Sequence, residues 1–273
     1  MTSAPGRAVR LIASDMDGTL LRSDQTISSR TCAAIRDAHE SGIIVMAATG
    51  RGWRSAVPLL AVAPEITTAV CSNGALVRDI TGEANTDVFA FPATTVEPLV
   101  ASVVGAVPDA GLAWELATGA FGFDRVYAGM RPDVAEHYPE HVGERPPTGD
   151  EMLKLLVRHP RMDEAELLAV LEPVLPPDVL ATYSGIETVE VTGAGIHKAH
   201  TLAVVCGRLG IDAAEVVAIG DNRNDTEMLR WAGRGVAMGN AAPAVVAVAG
   251  EQTAHHMDDG VAIVIEDVLA GLR

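Results

Sequence analysis

Val9-Arg10-Leu11-Ile12-Ala13-Ser14-Asp15-Met16-Asp17-Gly18-Thr19 is the stretch on which the fold turns. Val9 to Ser14 is apolar with little alternation, the pattern of a strand covered on both faces. Such a strand belongs to a parallel sheet with helices on either side. It ends in two acids, and open parallel sheets place their sites at the carboxyl ends of strands. Gly18 permits a sharp turn directly after them.

Working outward, Ser28 is a good N-cap for a helix reaching about Glu40, which Gly42 ends. Gly42 to Ala48 predicts a second buried strand, running into Thr49-Gly50-Arg51 and a helix to about Ala63. Thr68 to Cys71 predicts a third, ending in Ser72-Asn73-Gly74. Strand, helix, strand, helix, strand implies parallel pairing with right-handed crossovers. The rhythm returns with a helix over Ile196 to Leu209 and a strand over Glu215 to Ile219. That strand ends in Gly220-Asp221-Asn222-Arg223-Asn224-Asp225. A short helix to Ala232, a strand over Gly235 to Met238, a helix from Ala242, a strand near Gln252 to His255 and a helix from Asp259 complete the chain.

Between these regions the texture changes. Strand-like stretches (Leu112 to Leu116, Phe121 to Val126, Met152 to Val157, Val179 to Tyr183) mix with helices at Thr95 to Val107 and Met162 to Val174. Gly143 to Gly149 reads as loop. The expected fold class is α/β: a Rossmann-like parallel sheet core, 1–81 and 188–273, with an inserted α+β cap domain at 82–187. Trp114, Phe121, Phe123 and Tyr183 read as core of the inserted domain.

Composition narrows the partners. With 36 acidic and 20 basic residues the formal charge is −16, which repels polyphosphate backbones, so nucleic acid and anionic membranes are not expected partners. No apolar run approaches the ~18 residues that span a bilayer. Arg7 and Arg10 are followed by too few apolar residues for a secretory leader. Three scattered cysteines (Cys32, Cys71, Cys206) cannot make a full disulfide framework, and a cytoplasmic location is expected. Oligomeric state is left open.

Four polar clusters sit at strand ends or a nearby helix start. Asp15 and Asp17, two apart, can face one cavity, where a divalent metal would relieve their repulsion. Asp-x-Asp alone suits a capping loop equally well; followed by Gly-Thr after an apolar strand it is more specific. Thr49, Gly50 and Arg51 offer a hydroxyl, backbone N–H groups and a helix N-terminus, an anion seat or an ordinary helix start. Lys198 alone would be a solvated cation. His197 and His200 beside it read as surface or supporting residues, since a hard metal prefers oxygen. Asp221 and Asp225 lie one helical turn apart with Asn224 between, a second acid pair or a helix cap.

Taken in order, Asp-x-Asp-Gly-Thr, Thr-Gly-Arg, Lys and Gly-Asp-x-x-Asn-Asp resemble the haloacid dehalogenase (HAD) superfamily of phosphatases. Ser72-Asn73-Gly74-Ala75, Gly235-Val236-Ala237-Met238-Gly239-Asn240-Ala241 and Asp259-Gly260-Val261-Ala262 bring the resemblance closest to its Cof-type branch, subclass IIB. Lys198 is followed by Ala199 and His200 where relatives usually carry Gly, and Gly52-Trp53 replaces a different aromatic pair. The resemblance implies a phosphoric monoester hydrolase acting on a small phosphorylated metabolite. Asp15 would be the nucleophile that forms an aspartyl-phosphate, and Asp17 the acid and base. Mg²⁺ would be held by Asp15, the Asp17 backbone carbonyl, Asp221 and Asp225. Thr49, Gly50, Lys198 and Asn224 would bind phosphate, and Arg51 and Asn73 would contact substrate. Ion pumps of the superfamily carry Thr where Asp17 stands, so turnover is expected rather than pumping. A phosphosugar mutase on the same scaffold and a non-catalytic phosphometabolite-binding protein are the alternatives.

Overall fold

The computed structural model describes residues 8–137, 143, 146, 151–183 and 187–272; the loop expected at 143–149 falls largely outside them. The chain forms two compact units, Met1–Ala84 with Lys198–Arg273, and Asn85–His197.

The first unit opens with β1 (Leu11–Ser14), α1 (Ser29–Glu40), β2 (Ile44–Ala48), α2 (Trp53–Leu60), β3 (Thr68–Cys71) and β4 (Leu76–Asp79). β5 (Ala84–Val88) leads into the second unit, which holds α3 (Ala93–Ala106), β6 (Gly111–Leu116), β7 (Phe121–Phe123), α4 (Arg125–Met130), α5 (Pro132–His137), β8 (Met152–Arg158), α6 (Glu164–Leu171), β9 (Val179–Tyr183) and β10 (Val189–Gly193). The first unit then resumes with α7 (Lys198–Leu209), β11 (Val216–Gly220), α8 (Thr226–Trp231), β12 (Arg234–Ala237), α9 (Pro243–Val246), β13 (Glu251–Gln252) and α10 (Gly260–Ala270).

The first sheet has the order β13-β12-β11-β1-β2-β3-β4-β5. The pairs from β13 through β3 are parallel, and β4 returns antiparallel on β3. Every residue of β1 and β11 is buried, as expected of strands with both faces covered. From β1 the chain winds to β2 and β3 on one side, and after the insertion to β11, β12 and β13 on the other. That reversal opens a crevice at the carboxyl end of β1, the usual place for a ligand in such sheets. Ser28 caps α1 by accepting from the Thr31 N–H, and Gly42 follows the helix at φ 80°.

The second unit is a five-stranded antiparallel sheet, β7-β6-β8-β10-β9. One face packs α3 and α6 through Leu99, Val103, Trp114, Leu155, Leu168 and Val191. Trp114 and Phe123 are buried, and Phe121 and Tyr183 pack against these clusters, so all four are core. The unit reaches His197 rather than ending at 187, because Val189–Gly193 pairs with β8 and β9. The sequence reading also extended β7 too far. Asp124 stops the strand: its carboxylate accepts the Tyr127 N–H, capping α4, and the Leu112 N–H across the sheet. Lys154 lies buried in β8, 2.9 Å from Glu190 and 3.8 Å from Glu115. Lone charges inside apolar strands give no sequence signal of this pairing.

Candidate active site

β1, β2 and β11 deliver their polar ends to one place, and the first turn of α7 adds a cation. Asp15 follows β1 directly and is buried; its N–H donates to Ile219 O of β11, which ties the two strand ends together. Lys198 opens α7 with a side chain wholly shut off from solvent. Its Nζ donates to Asp15 Oδ1 at 2.5 Å and to Asp225 Oδ1 at 2.6 Å. A lysine that sequence alone leaves as a solvated charge is therefore clamped between two buried carboxylates. Burial works against its charge, but Asp15 and Asp225 outweigh it and raise its pKa.

Asp225 does two jobs. Oδ1 takes the lysine, and Oδ2 accepts the N–H groups of Asp221 and Asn222, each at 3.0 Å. The capping and site readings of this cluster thus hold together in one side chain. Gly220 is required here, since a Cβ at that position would lie 2.6 Å from the Asp225 side chain. Asp221 is oriented by two residues that the sequence analysis did not single out. Thr19 Oγ1 donates to Oδ1 at 2.9 Å, and Asn240 Nδ2 donates to Oδ2 at 3.3 Å and to Gly18 O at 2.8 Å. Their signal was present in the Asp-x-Asp-Gly-Thr and Gly-Asn-Ala blocks, but no spacing rule links Asn240 to Asp221.

Ligand atoms of Asp15, Asp221 and Asp225 lie within 4.8 Å of one another. Three carboxylates face a single ammonium. Burial, then the Asp225 charge, pushes the Asp15 carboxyl well above the usual range. The same two causes, in the same order, push Asp221 up to about 6. Hard oxygen donors with excess negative charge fit a divalent cation such as Mg²⁺, which would remove that repulsion.

Asp17 stands apart from this cluster. Its carboxylate is held by Arg51 through a fork, Nε to Oδ2 at 2.7 Å and Nη2 to Oδ1 at 2.6 Å. Thr49 is fully buried at the end of β2, and its Oγ1 accepts the Arg51 N–H at 3.0 Å. Gly52, not Thr49, is the N-cap of α2, so Thr49 and Gly50 belong to the loop before the helix. Asn73 sits at φ 57° after β3, with its N–H on Thr49 O; its Oδ1 accepts from Asn224 Nδ2 at 3.0 Å. Non-glycine residues at positive φ are costly and cluster at functional sites; Ser72, at φ 53°, is a second one here.

Gly18 has a testable role. It sits at φ 73°, and a Cβ there would lie 2.5 Å from Asp221 Oδ2. Gly18→Ala is expected to cost ~1–3 kcal/mol from backbone strain alone and to displace Asp221. Chemical denaturation with and without MgCl₂ checks this. An unchanged midpoint and an unchanged Mg²⁺ response would contradict it.

A doubly covered α/β sheet with acids converging at the switch of strand order defines an open-sheet α/β protein with an acidic site at its topological switch point. The sequence matches haloacid dehalogenase-like hydrolases over residues 12–265, and the chain belongs to that family. It is 31% identical over 274 residues to 5-amino-6-(5-phospho-D-ribitylamino)uracil phosphatase YitU of Bacillus subtilis (strain 168), covering 92% of this chain and 94% of the relative. It is 27% identical over 256 residues to the HMP-PP phosphatase of Enterobacter sp. (strain 638), covering 87% of each. Among solved structures, the HAD phosphatase BT1666 of Bacteroides thetaiotaomicron superposes with TM-score 0.80 at 25% identity over 98% of both chains. Among the described residues, no helix is long and apolar enough to cross a membrane.

Proposed function

We infer that this protein is a Mg²⁺-dependent phosphatase that hydrolyses a small phosphorylated metabolite through an aspartyl-phosphate on Asp15. The observation that carries the reading is the Lys198 ammonium 2.5 Å from Asp15, beside the carboxylates of Asp221 and Asp225. A carboxylate approaching a phosphate dianion meets like charge, so the reaction depends on in-line placement and charge cancellation.

Asp15 attacks phosphorus in line, and Asp17 gives a proton to the departing oxygen. Lys198 holds charge against the phosphoryl oxygens, with Thr49, the Gly50 N–H and Asn224 as further donors. Water then attacks the phosphorus, Asp17 takes its proton, and Asp15 is released. Mg²⁺ held by Asp15, Asp221, Asp225 and the Asp17 carbonyl would supply the remaining positive charge. The inserted unit, Asn85–His197, is proposed to act as a cap that selects the leaving group.

Release of p-nitrophenolate from p-nitrophenyl phosphate with MgCl₂ tests the class. Absence of turnover, or turnover untouched by Asp15→Asn, would favour a binding protein. Labelled phosphate reappearing on a second hydroxyl rather than in water would favour a mutase. The relatives' names put 5-amino-6-(5-phospho-D-ribitylamino)uracil and HMP-PP first in a metabolite panel.

Asp221 sets a pH prediction. Its folded pKa, about 6, lies above its unfolded value, so its ionisation opposes folding. Stability of the metal-free protein falls as pH rises from about 4 through 6. Mg²⁺ competes with that proton, so its stabilising effect is expected to be larger at pH 7.5 than at pH 5. Thermal denaturation at both pH values, with and without MgCl₂, checks the sign. An equal Mg²⁺ increment at the two would refute it.

A further inference from the structure

We propose that Arg51 is a positioning residue for Asp17 in the hydrolytic half-reaction, and not a contact for the substrate phosphate. The inference rests on the phosphatase reading above and adds to it the residue that aims the base.

Arg51 adjoins Thr49 and Gly50, which makes it an obvious phosphate clamp. The structure commits its guanidinium elsewhere. Nε and Nη2 form the two-pronged contact with both oxygens of Asp17. A planar fork of this kind fixes a carboxylate's rotation as well as its place, which a single lysine contact would not do. The Arg51 main chain is fixed too: its N–H is on Thr49 Oγ1, and its carbonyl accepts the Ser72 N–H at 2.9 Å. The arginine therefore reaches Asp17 from a braced loop between β2 and α2.

Stability is a weak explanation for the pair. The Asp17 side chain is 50% exposed and that of Arg51 24%, a setting in which ion pairs contribute little. Orientation is the stronger one. A half-exposed aspartate samples several rotamers, and general bases lose efficiency when misplaced by about an ångström.

The fork leaves Asp17 able to serve the hydrolytic half-reaction. Both Asp17 oxygens accept from Arg51. Each oxygen has two lone pairs and the fork uses one of them. The others can accept a proton from the attacking water. In that step the water oxygen bonds to phosphorus and the phosphorus–Oδ bond of Asp15 breaks. Asp15 leaves with the electron pair as carboxylate, the water proton passes to Asp17, and inorganic phosphate departs.

Stopped-flow release of p-nitrophenolate with MgCl₂ tests the assignment, because that leaving group needs little protonation and its departure reports the first half-reaction. Arg51→Ala is expected to lower kcat by roughly 10²-fold, with KM falling rather than rising. A burst approaching one nitrophenolate per active site should precede slow turnover. Arg51→Lys keeps the charge but cannot fork, and should behave like Arg51→Ala. Adding Arg51→Ala to Asp17→Asn should slow turnover no further. A raised KM without a burst would overturn the proposal in favour of a phosphate contact, as would rescue by lysine. Unchanged kcat in a variant folded by circular dichroism would also overturn it. If wild-type protein released no nitrophenolate, the phosphatase reading itself would fail and this proposal with it.

Discussion

Replacing Lys198 with Met is expected to lower kcat by roughly 10²–10³-fold, the usual cost of losing a preorganised transition-state donor, and to destabilise the fold. The ammonium has no solvent exposure and bridges Asp15 and Asp225 at 2.5 and 2.6 Å. Methionine fills the space without the charge, leaving two buried carboxylates facing each other. Removing one partner of a buried ionic cluster costs about 3–5 kcal/mol. That penalty should depend on pH. Without the lysine, the Asp15 pKa rises further above its unfolded value, so the gap to wild type widens as pH increases. Urea denaturation at pH 5 and pH 8 gives the stability arm, and initial rates on p-nitrophenyl phosphate below the melting range give the catalytic arm. A variant with kcat within threefold of wild type would remove Lys198 from the mechanism, whatever its effect on stability.

Asp15→Asn should abolish turnover, by on the order of 10⁴-fold or more, as loss of a nucleophile does, without a matching loss of stability. The Asp15 carboxyl is buried beside Asp225 with its pKa raised, so its charge is a liability to the metal-free fold. Asparagine is nearly the same size and relieves that repulsion, while Lys198 keeps Asp225. The melting temperature of the metal-free variant at pH 7.5 should equal or exceed wild type. Its gain on adding MgCl₂ should shrink, because one of three clustered carboxylates is gone. Activity loss paired with a lower melting temperature and an intact Mg²⁺ response would assign Asp15 to structure. The companion variant Asp17→Asn should retain label after acid quench with ³²P-labelled substrate.

The two variants differ in what sequence reasoning could have supplied. Asp15 was readable because local order carries it: an apolar strand, then Asp-x-Asp-Gly-Thr. Lys198 was readable only through the resemblance, since one lysine at a helix start has no pattern of its own. Thr19 and Asn240 were inside quoted motifs, yet Thr19 grips Asp221 across 202 positions, and Asn240 joins Asp221 to Gly18, 222 positions away from it. Arg51 reads from the sequence as part of an anion seat and a substrate contact, whereas its fork goes to Asp17. Adjacent residues of one loop can point to different neighbours, and spacing does not record side-chain direction. The far edge of the inserted unit lies beyond 187 because Val189–Gly193, short but alternating apolar and polar, pairs with β8 and β9, and which sheet a short strand joins is not written in its own residues.

By itself the sequence determined the α/β class, the strands that end in polar clusters, and the order in which those clusters occur. These follow from periodicity and from turn and cap chemistry, which act over a few residues. Only the tertiary structure decided that Lys198 sits between Asp15 and Asp225, that Asp221 joins them, and that Asp17 answers to Arg51. Those contacts are set by sheet pairing and burial across the whole chain, and burial turns a solvated lysine into a fixed charge between two acids.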